Sequence, residues 1–390
     1  MPQQISPLRP RQSWIDVLRG TSVLLVIILH ARQYAFHGYV PEQATVQGSV
    51  LTDAVGLMNV SLAPLRMQLM FLLSGLFVAR SLDRGSGAYL SGKLRNVLYP
   101  FVLWSLVMVL VRDGGATLIK GVPFPWGQLG AIVTGSSSLT WFLYDLFIFF
   151  LVTPYLRQFS PLRVVPVALA LAWLVPDSMY QHPSLFYYFI FFYLGDWISR
   201  SGHDLAAPPG PRILVPSSLC LIALLLVANL AGLPPVWPGY LPLVLGSLPL
   251  LVYCAQAASR RRWSAPLTYI GRNSIVFYLV HYPPYLVVSY LLHKVTLNGT
   301  LSLVGLLLAG TGAPLLICLA RDHLGLRQLD WLFSLPRRKR AVGGGRTAHL
   351  VGPSAPATVP LPSPGAATQP GAQSMIEPPE DKVSRQRAGG

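Results

Sequence analysis

The chain has 390 residues, 52% of them hydrophobic and only 11% charged, with a mean hydropathy of +0.50, which excludes an ordinary soluble domain. Its net charge of +16 would suit a nucleic-acid binder only if the cations shared one solvated face, whereas here they lie between apolar stretches, as in an integral membrane protein. The three cysteines, Cys220, Cys254 and Cys318, each sit inside an apolar run without CxxC spacing or nearby His or acidic residues, so they read as packing residues and no metal is expected.

In chain order, the basic N-terminus MPQQISPLRPRQSW leads into a long apolar run without a small-residue cleavage site, the pattern of a retained signal-anchor. A helix needs about 20 apolar residues to cross the bilayer. Ten segments are candidates: 17–36, 61–79, 97–111, 139–156, 163–175, 184–198, 213–231, 240–258, 267–292 and 301–320. Arg and Lys collect on alternate sides of them: Arg9 and Arg11, then Arg80, Arg84, Lys93 and Arg95, then Arg157 and Arg163, Arg200 and Arg212, Arg260 to Arg262, and finally Arg321, Arg327 and the RRKR run at 337–340. The intervening loops hold only Arg112, Lys120 and Lys294. The positive-inside rule then places both termini in the cytoplasm. The expected architecture is an all-α polytopic membrane protein of about ten helices, with a short cytoplasmic segment 1–13, a membrane domain 14–335 and a Pro/Gly/Ala-rich disordered cytoplasmic tail 336–390. Trp141, Tyr144, Trp173, Tyr180 and Trp237 fall near the outer boundary, where aromatic belts form.

The first segment, DVLRGTSVLLVIILHARQY, carries two residues that a spanning helix tolerates only for a reason. Arg19 and His30 are eleven steps apart, about three turns and ~16 Å along one helical stripe, which Ser22, Val26, Gln33 and His37 continue. Arg19 alone reads as a snorkelling cation, and His30 alone as a neutral ring bonded to a neighbouring helix or as a functional group. Further along, Ser274, Tyr278, His281 and Tyr285 recur at helical spacing, with Pro283 and Pro284 just beyond His281 set to kink the helix. Asp145 is an intramembrane carboxylate at the depth of Arg32 and Arg66, so a structural ion pair is expected; Asp196 should pair with nearby cations at the inner boundary.

The run Leu18-Arg19-Gly20, seven apolar residues and His30 resembles the first helix of the membrane acyltransferase-3 family, in which an Arg and a His are separated by ten residues. MQLMFLLSGLFVARSL with Ser74-Gly75, KLRNVLYPF with Arg95 and Pro100, LTWFLYDLFIFF with Trp141, and IGRNSIVFYLVHYP with Gly271, Ser274 and His281 resemble later motifs of that family, in the same order. Met70 stands where an aromatic is usual. The wording PLRMQLMFLLSG is most similar to the branch that contains glucan-biosynthesis protein C.

The resemblance implies a bacterial inner-membrane O-acyltransferase that moves an acetyl or succinyl group from cytoplasmic acyl-coenzyme A to a hydroxyl of a glycan or another envelope acceptor. Acyl transfer needs a base, a donor site and hydrogen-bond donors for the oxyanion. On this reading His30 is the general base, Arg19 shares the catalytic stripe, and Arg80, Lys93 and Arg95 meet the coenzyme A phosphates with it. His281, Ser274, Tyr278, Asp145, Trp141 and Arg66 are candidates for the acceptor or the oxyanion. Arg19, His30 and His281 should then line one continuous cavity open to the cytoplasm. A transporter or flippase of a polar envelope precursor is the rival, since buried Arg, His and Asp also mark transport pathways.

Overall fold

The computed structural model describes residues 12–38, 45–134, 140–175, 185–202 and 207–336. Arg9, Arg11, Tyr180, the RRKR run and the tail from 337 onward lie outside the described residues. What is described is nearly all helix, with one isolated bridge between Gln47 and Asn298.

The helices are α1 (Ser13–His37), α2 (Val50–Gly75), α3 (Val78–Leu82), α4 (Ser86–Lys93), α5 (Tyr99–Val109), α6 (Gly115–Lys120), α7 (Gly127–Val133) and α8 (Trp141–Leu156). They continue as α9 (Pro161–Leu174), α10 (Leu185–Arg200), α11 (Pro211–Leu230), α12 (Leu241–Ser259), α13 (Ala265–Arg272), α14 (Ser274–Val280), α15 (Tyr282–Val295) and α16 (Gly299–His323). Seven helical stretches among the described residues are long and apolar enough to cross a membrane, and α8 and α9 are shorter apolar helices. Every one of the ten expected segments falls on a helix, so the chain is a multi-pass, all-α membrane protein.

Three boundaries differ from the expectation, each for a local reason. The second helix starts at Val50 rather than near 61, because Ser49 and Thr52 close a capping box that satisfies its first amides. The third is one stretch from Ser86 to Ile119, because two π-helical turns, Leu94–Leu98 and Leu110–Gly114, carry the backbone through sequence that reads as loop. The ninth is divided into α13, α14 and α15, with breaks at Asn273 and His281. Asn273 is held out of regular helix by its own bond to the Tyr269 carbonyl and by Arg321 Nη2 (2.7 Å). At His281 the amides missing from Pro283 and Pro284 start a new helix.

Helix α1 runs through the middle, packed against α2, α12, α13, α14, α15 and α16, while α10 lies against α2, α8 and α9. Two glycine pairs set these approaches. A Cβ on Gly20 would overlap the Leu267 carbonyl and one on Gly271 the Asp16 carbonyl, so α1 and α13 touch backbone to backbone. Gly75 and Gly195 stand in the same relation to the Phe192 and Leu72 carbonyls between α2 and α10. Without a hydrophobic drive between helices in lipid, such close contact is what holds them together. The glycines of the Leu-Arg-Gly and Ser-Gly motifs thus fix where their neighbours Arg19 and Ser74 sit.

Candidate active site

Next to these two contacts, at the end of the bundle where α1 begins, a cavity of about 390 Å3 opens between α1, α2, α4, α8 and α14. Arg19, Arg84 and Lys93 line it together with Ser74, Ser81 and Asn96, and Ser274 and Tyr278 close its far side. The Arg19 guanidinium lies over the Phe77 ring at 4.6 Å, so Ser74-Gly75-Leu76-Phe77 supplies a polar wall, a helix contact and a platform for the cation within one turn. Lys93 Nζ sits 3.5 Å above the Phe150 ring, beside Tyr89, whose hydroxyl donates to the Phe150 carbonyl (2.7 Å).

Two of the cations expected here are elsewhere. Arg80 is exposed on α3 and does not line the cavity. Arg95 donates through Nε to the Leu335 carbonyl (3.0 Å), because the π-helical turn aims it at the segment after α16. Arg84, which reads as ordinary loop charge, lines the cavity in their place.

Three turns along α1, His30 Nδ1 lies 3.1 Å from His281 Nε2, and His281 Nδ1 lies 3.0 Å from the Phe277 carbonyl oxygen. The kink at His281 makes this possible. Below it Ser274 and Tyr278 face the cavity; at and above it His281 and Tyr285 turn to α1, where the Tyr285 hydroxyl donates to the Ile27 carbonyl (2.9 Å). His293 Nε2 meets the Ala35 carbonyl eight residues further along both helices, so α1 and α15 run parallel. Tyr282 stands edge-on to His30 at 5.6 Å, and its hydroxyl contacts that of Tyr34. His30 is half-buried, whereas His281 is only 3% exposed. On the proposed stripe of α1, Ser22 and Val26 are buried, but Gln33 and His37 are exposed.

The single cavity expected to run from Arg19 to both histidines is therefore interrupted. Neither His30 nor His281 lines the basic cavity, which ends at Tyr278, whose ring is 6.2 Å from that of His281 and 5.4 Å from that of Phe142. Tyr278, at the turn before the kink, thus stands between the cavity and His281.

Among the remaining candidates, Trp141 stacks on Tyr188 at 5.4 Å. The ion pair expected for Asp145 is not formed: the residue is fully buried and neither carboxylate oxygen has a hydrogen-bond partner. Arg32 instead donates to the Thr52 carbonyl (3.3 Å), and Arg66 Nη2 to the Asn59 carbonyl (3.1 Å). Both cations are thus engaged by backbone carbonyls of α2. Asp196 pairs with Arg157 and Arg200, each at 3.0 Å, as its position suggests.

Sequence reasoning missed Arg84, Tyr34 and Tyr282. A signal for the tyrosines existed in the aromatic spacing before Tyr285, but nothing local indicates that they meet across 248 residues. What the arrangement offers chemically is a cationic cavity at one end of α1 and a half-buried histidine with a fixed partner further along the same helix.

Comparison with protein families matches residues 12–320 to the acyltransferase domain of the acyltransferase-3 type. The inner membrane protein YcfT of Escherichia coli (strain K12) is 24% identical over 296 residues, which cover 70% of this chain and 80% of that protein. No solved structure matches. The matched span contains the cavity, the histidine pair and both glycine contacts, and the chain belongs to the membrane acyltransferase-3 family.

Proposed function

We propose that the protein is an O-acyltransferase of the bacterial inner membrane, moving an acetyl or succinyl group from cytoplasmic acyl-coenzyme A to a hydroxyl of a glycan or other envelope acceptor. The observation that carries this reading is the pairing, on one unbroken helix, of Arg19 at a cationic cavity with a half-buried His30 held by a second histidine. Membership of an acyltransferase family and similarity to an inner membrane protein support it.

On this reading Arg19, Lys93 and Arg84 hold the phosphates of coenzyme A, cation to anion. The pantetheine arm follows the cavity past Ser74 and Leu146 to Tyr278, which must swing aside for the thioester to reach His30. The imidazole takes the proton from the acceptor hydroxyl as its oxygen attacks the thioester carbon; the C–S bond breaks, and the proton passes to the leaving thiolate. On this reading the Tyr278 hydroxyl, turned out of the cavity towards His30, donates to the developing oxyanion.

The test is reconstitution of the purified protein in liposomes with labelled acetyl- or succinyl-coenzyme A on the side of the α1 N-terminus and a panel of glycans on the other. Expected is stoichiometric release of free coenzyme A thiol with label on a glycan hydroxyl. Glycan translocation with the thioester intact would overturn the proposal in favour of a flippase.

A further inference from the structure

The two histidines have a hydrogen-bond polarity that can be read from one atom. We propose that His281 is a positioning residue that fixes the tautomer of His30, so that Nε2 of His30 is the nitrogen that takes the proton. The catalytic half of this inference rests on the acyl-transfer reading above; the tautomer itself does not.

The Phe277 carbonyl oxygen can only accept. His281 Nδ1, 3.0 Å away, must therefore carry a hydrogen and donate it. A base enters the reaction neutral, and in a neutral His281 the remaining nitrogen, Nε2, is an acceptor. It lies 3.1 Å from His30 Nδ1, which must then be the donor. In a neutral His30 the lone pair is left on Nε2. The chain runs in one direction, from His30 Nδ1–H to His281 Nε2 and from His281 Nδ1–H to the carbonyl.

Ring geometry supports a true in-plane bond. The centroids are 5.3 Å apart with only 18° between the ring planes, so the imidazoles lie side by side with the nitrogen lone pairs in plane rather than face to face. Tyr282 and Tyr285 stand edge-on to His30 and His281 at 5.6 and 5.7 Å and limit rotation of both rings. Tyr285 is itself tied to the Ile27 carbonyl. Exposure divides the roles in the same way: His281 is buried and committed at both nitrogens, while His30 is half-buried and none of its contacts among the described residues engages Nε2. Partners of this kind, which orient a reacting imidazole through its other nitrogen, are familiar from carboxylate and carbonyl groups; here a histidine backed by a carbonyl takes that place.

The experiment is 15N NMR of histidine-labelled full-length protein in nanodiscs, with the His30 signals assigned by their loss in His30→Gln. Expected is the Nδ1–H tautomer at His30. In His281→Phe the His30 signals should move to the commoner Nε2–H form, and kcat should fall about 10- to 100-fold with the KM for acyl-coenzyme A unchanged. His281→Gln, whose side-chain carbonyl can accept from His30 Nδ1, should restore both tautomer and most of kcat. An Nε2–H tautomer at His30 in the wild type overturns the inference, as does His281→Phe with full kcat. Should wild-type protein turn over no acyl donor, the acyl-transfer reading fails, while the spectra still decide the tautomer.

Discussion

The two polar ends of α1 solve opposite problems with the same backbone. Arg19 sits where the helix meets a cationic cavity, its guanidinium resting on Phe77 and its surroundings shared with Lys93 and Arg84. His30, about 16 Å along the axis, has one side-chain hydrogen-bond partner among the described residues, His281, and the edge-on ring of Tyr282 beside it. The first end is built for attraction, where a charge acts over several ångströms and exact orientation matters little. The second is built for direction, where one lone pair must point one way. Loss of the second should therefore cost turnover and loss of the first should cost donor affinity.

The greatest loss is expected from His30→Ala. General bases contribute about 10²- to 10⁴-fold to rate, so kcat should drop by that factor while acyl-coenzyme A still binds, as equilibrium binding of labelled donor to the variant would establish. Equal weakening of donor binding would mean that the two ends are not separate.

Arg19→Ala should do the reverse. A hydrogen bond to a charged group is worth roughly 1.5–3 kcal/mol, about 10- to 100-fold in affinity, and this loss should fall on the KM for the acyl donor with a smaller change in kcat. Steady-state kinetics at varied donor concentration separates the two parameters. A pure kcat defect would move Arg19 from donor anchoring into the chemistry.

How far the sequence disclosed this arrangement depends on the range of the interaction. The Arg19–His30 spacing was legible because both residues lie on one helix whose periodicity is fixed, and α1 is unbroken from Ser13 to His37. The kink near His281 was legible for a similarly local reason, the Pro283-Pro284 pair. The partner of His30 was not, since it comes from 251 residues away and depends on how α15 lies along α1. The Asp145 ion pair was not legible for the same reason: depth in the membrane can be counted from sequence, but that Arg32 and Arg66 direct their donors to the Thr52 and Asn59 carbonyls cannot. Asn298 caps α16, its side-chain oxygen accepting from the Thr300 and Leu301 amides.

Lys93→Gln and Arg84→Gln sharpen the picture of the cationic end with smaller effects. Lys93 is held over Phe150 and Tyr89, and Arg84 is exposed at the rim. Each change should raise the donor KM by roughly threefold to tenfold, and the double variant should add to the effect of Arg19→Ala. Because an exposed charge is screened over about 8 Å at physiological salt, the Arg84 contribution should shrink further in 0.5 M salt, while that of Lys93 persists.

The smallest effect is expected from the two basic residues that share this loop without sharing the cavity. Arg80→Gln should change neither KM nor stability. Arg95→Gln should also leave KM unchanged, but its Nε bond to the Leu335 carbonyl is one of a set that binds the segment after α16 to the start of α5. Leu335 N donates back to the Arg95 carbonyl at 3.1 Å, Trp104 Nε1 donates to the Leu332 carbonyl at 2.8 Å, and Phe333 stacks on Trp104 at 5.7 Å. Losing one such bond costs about 1 kcal/mol, so a small fall in melting temperature with unaltered kinetics is the expected signature. Positive charge beside the cavity would then divide into residues that face a ligand and one that fastens the chain, and a donor KM raised by Arg95→Gln would erase that division.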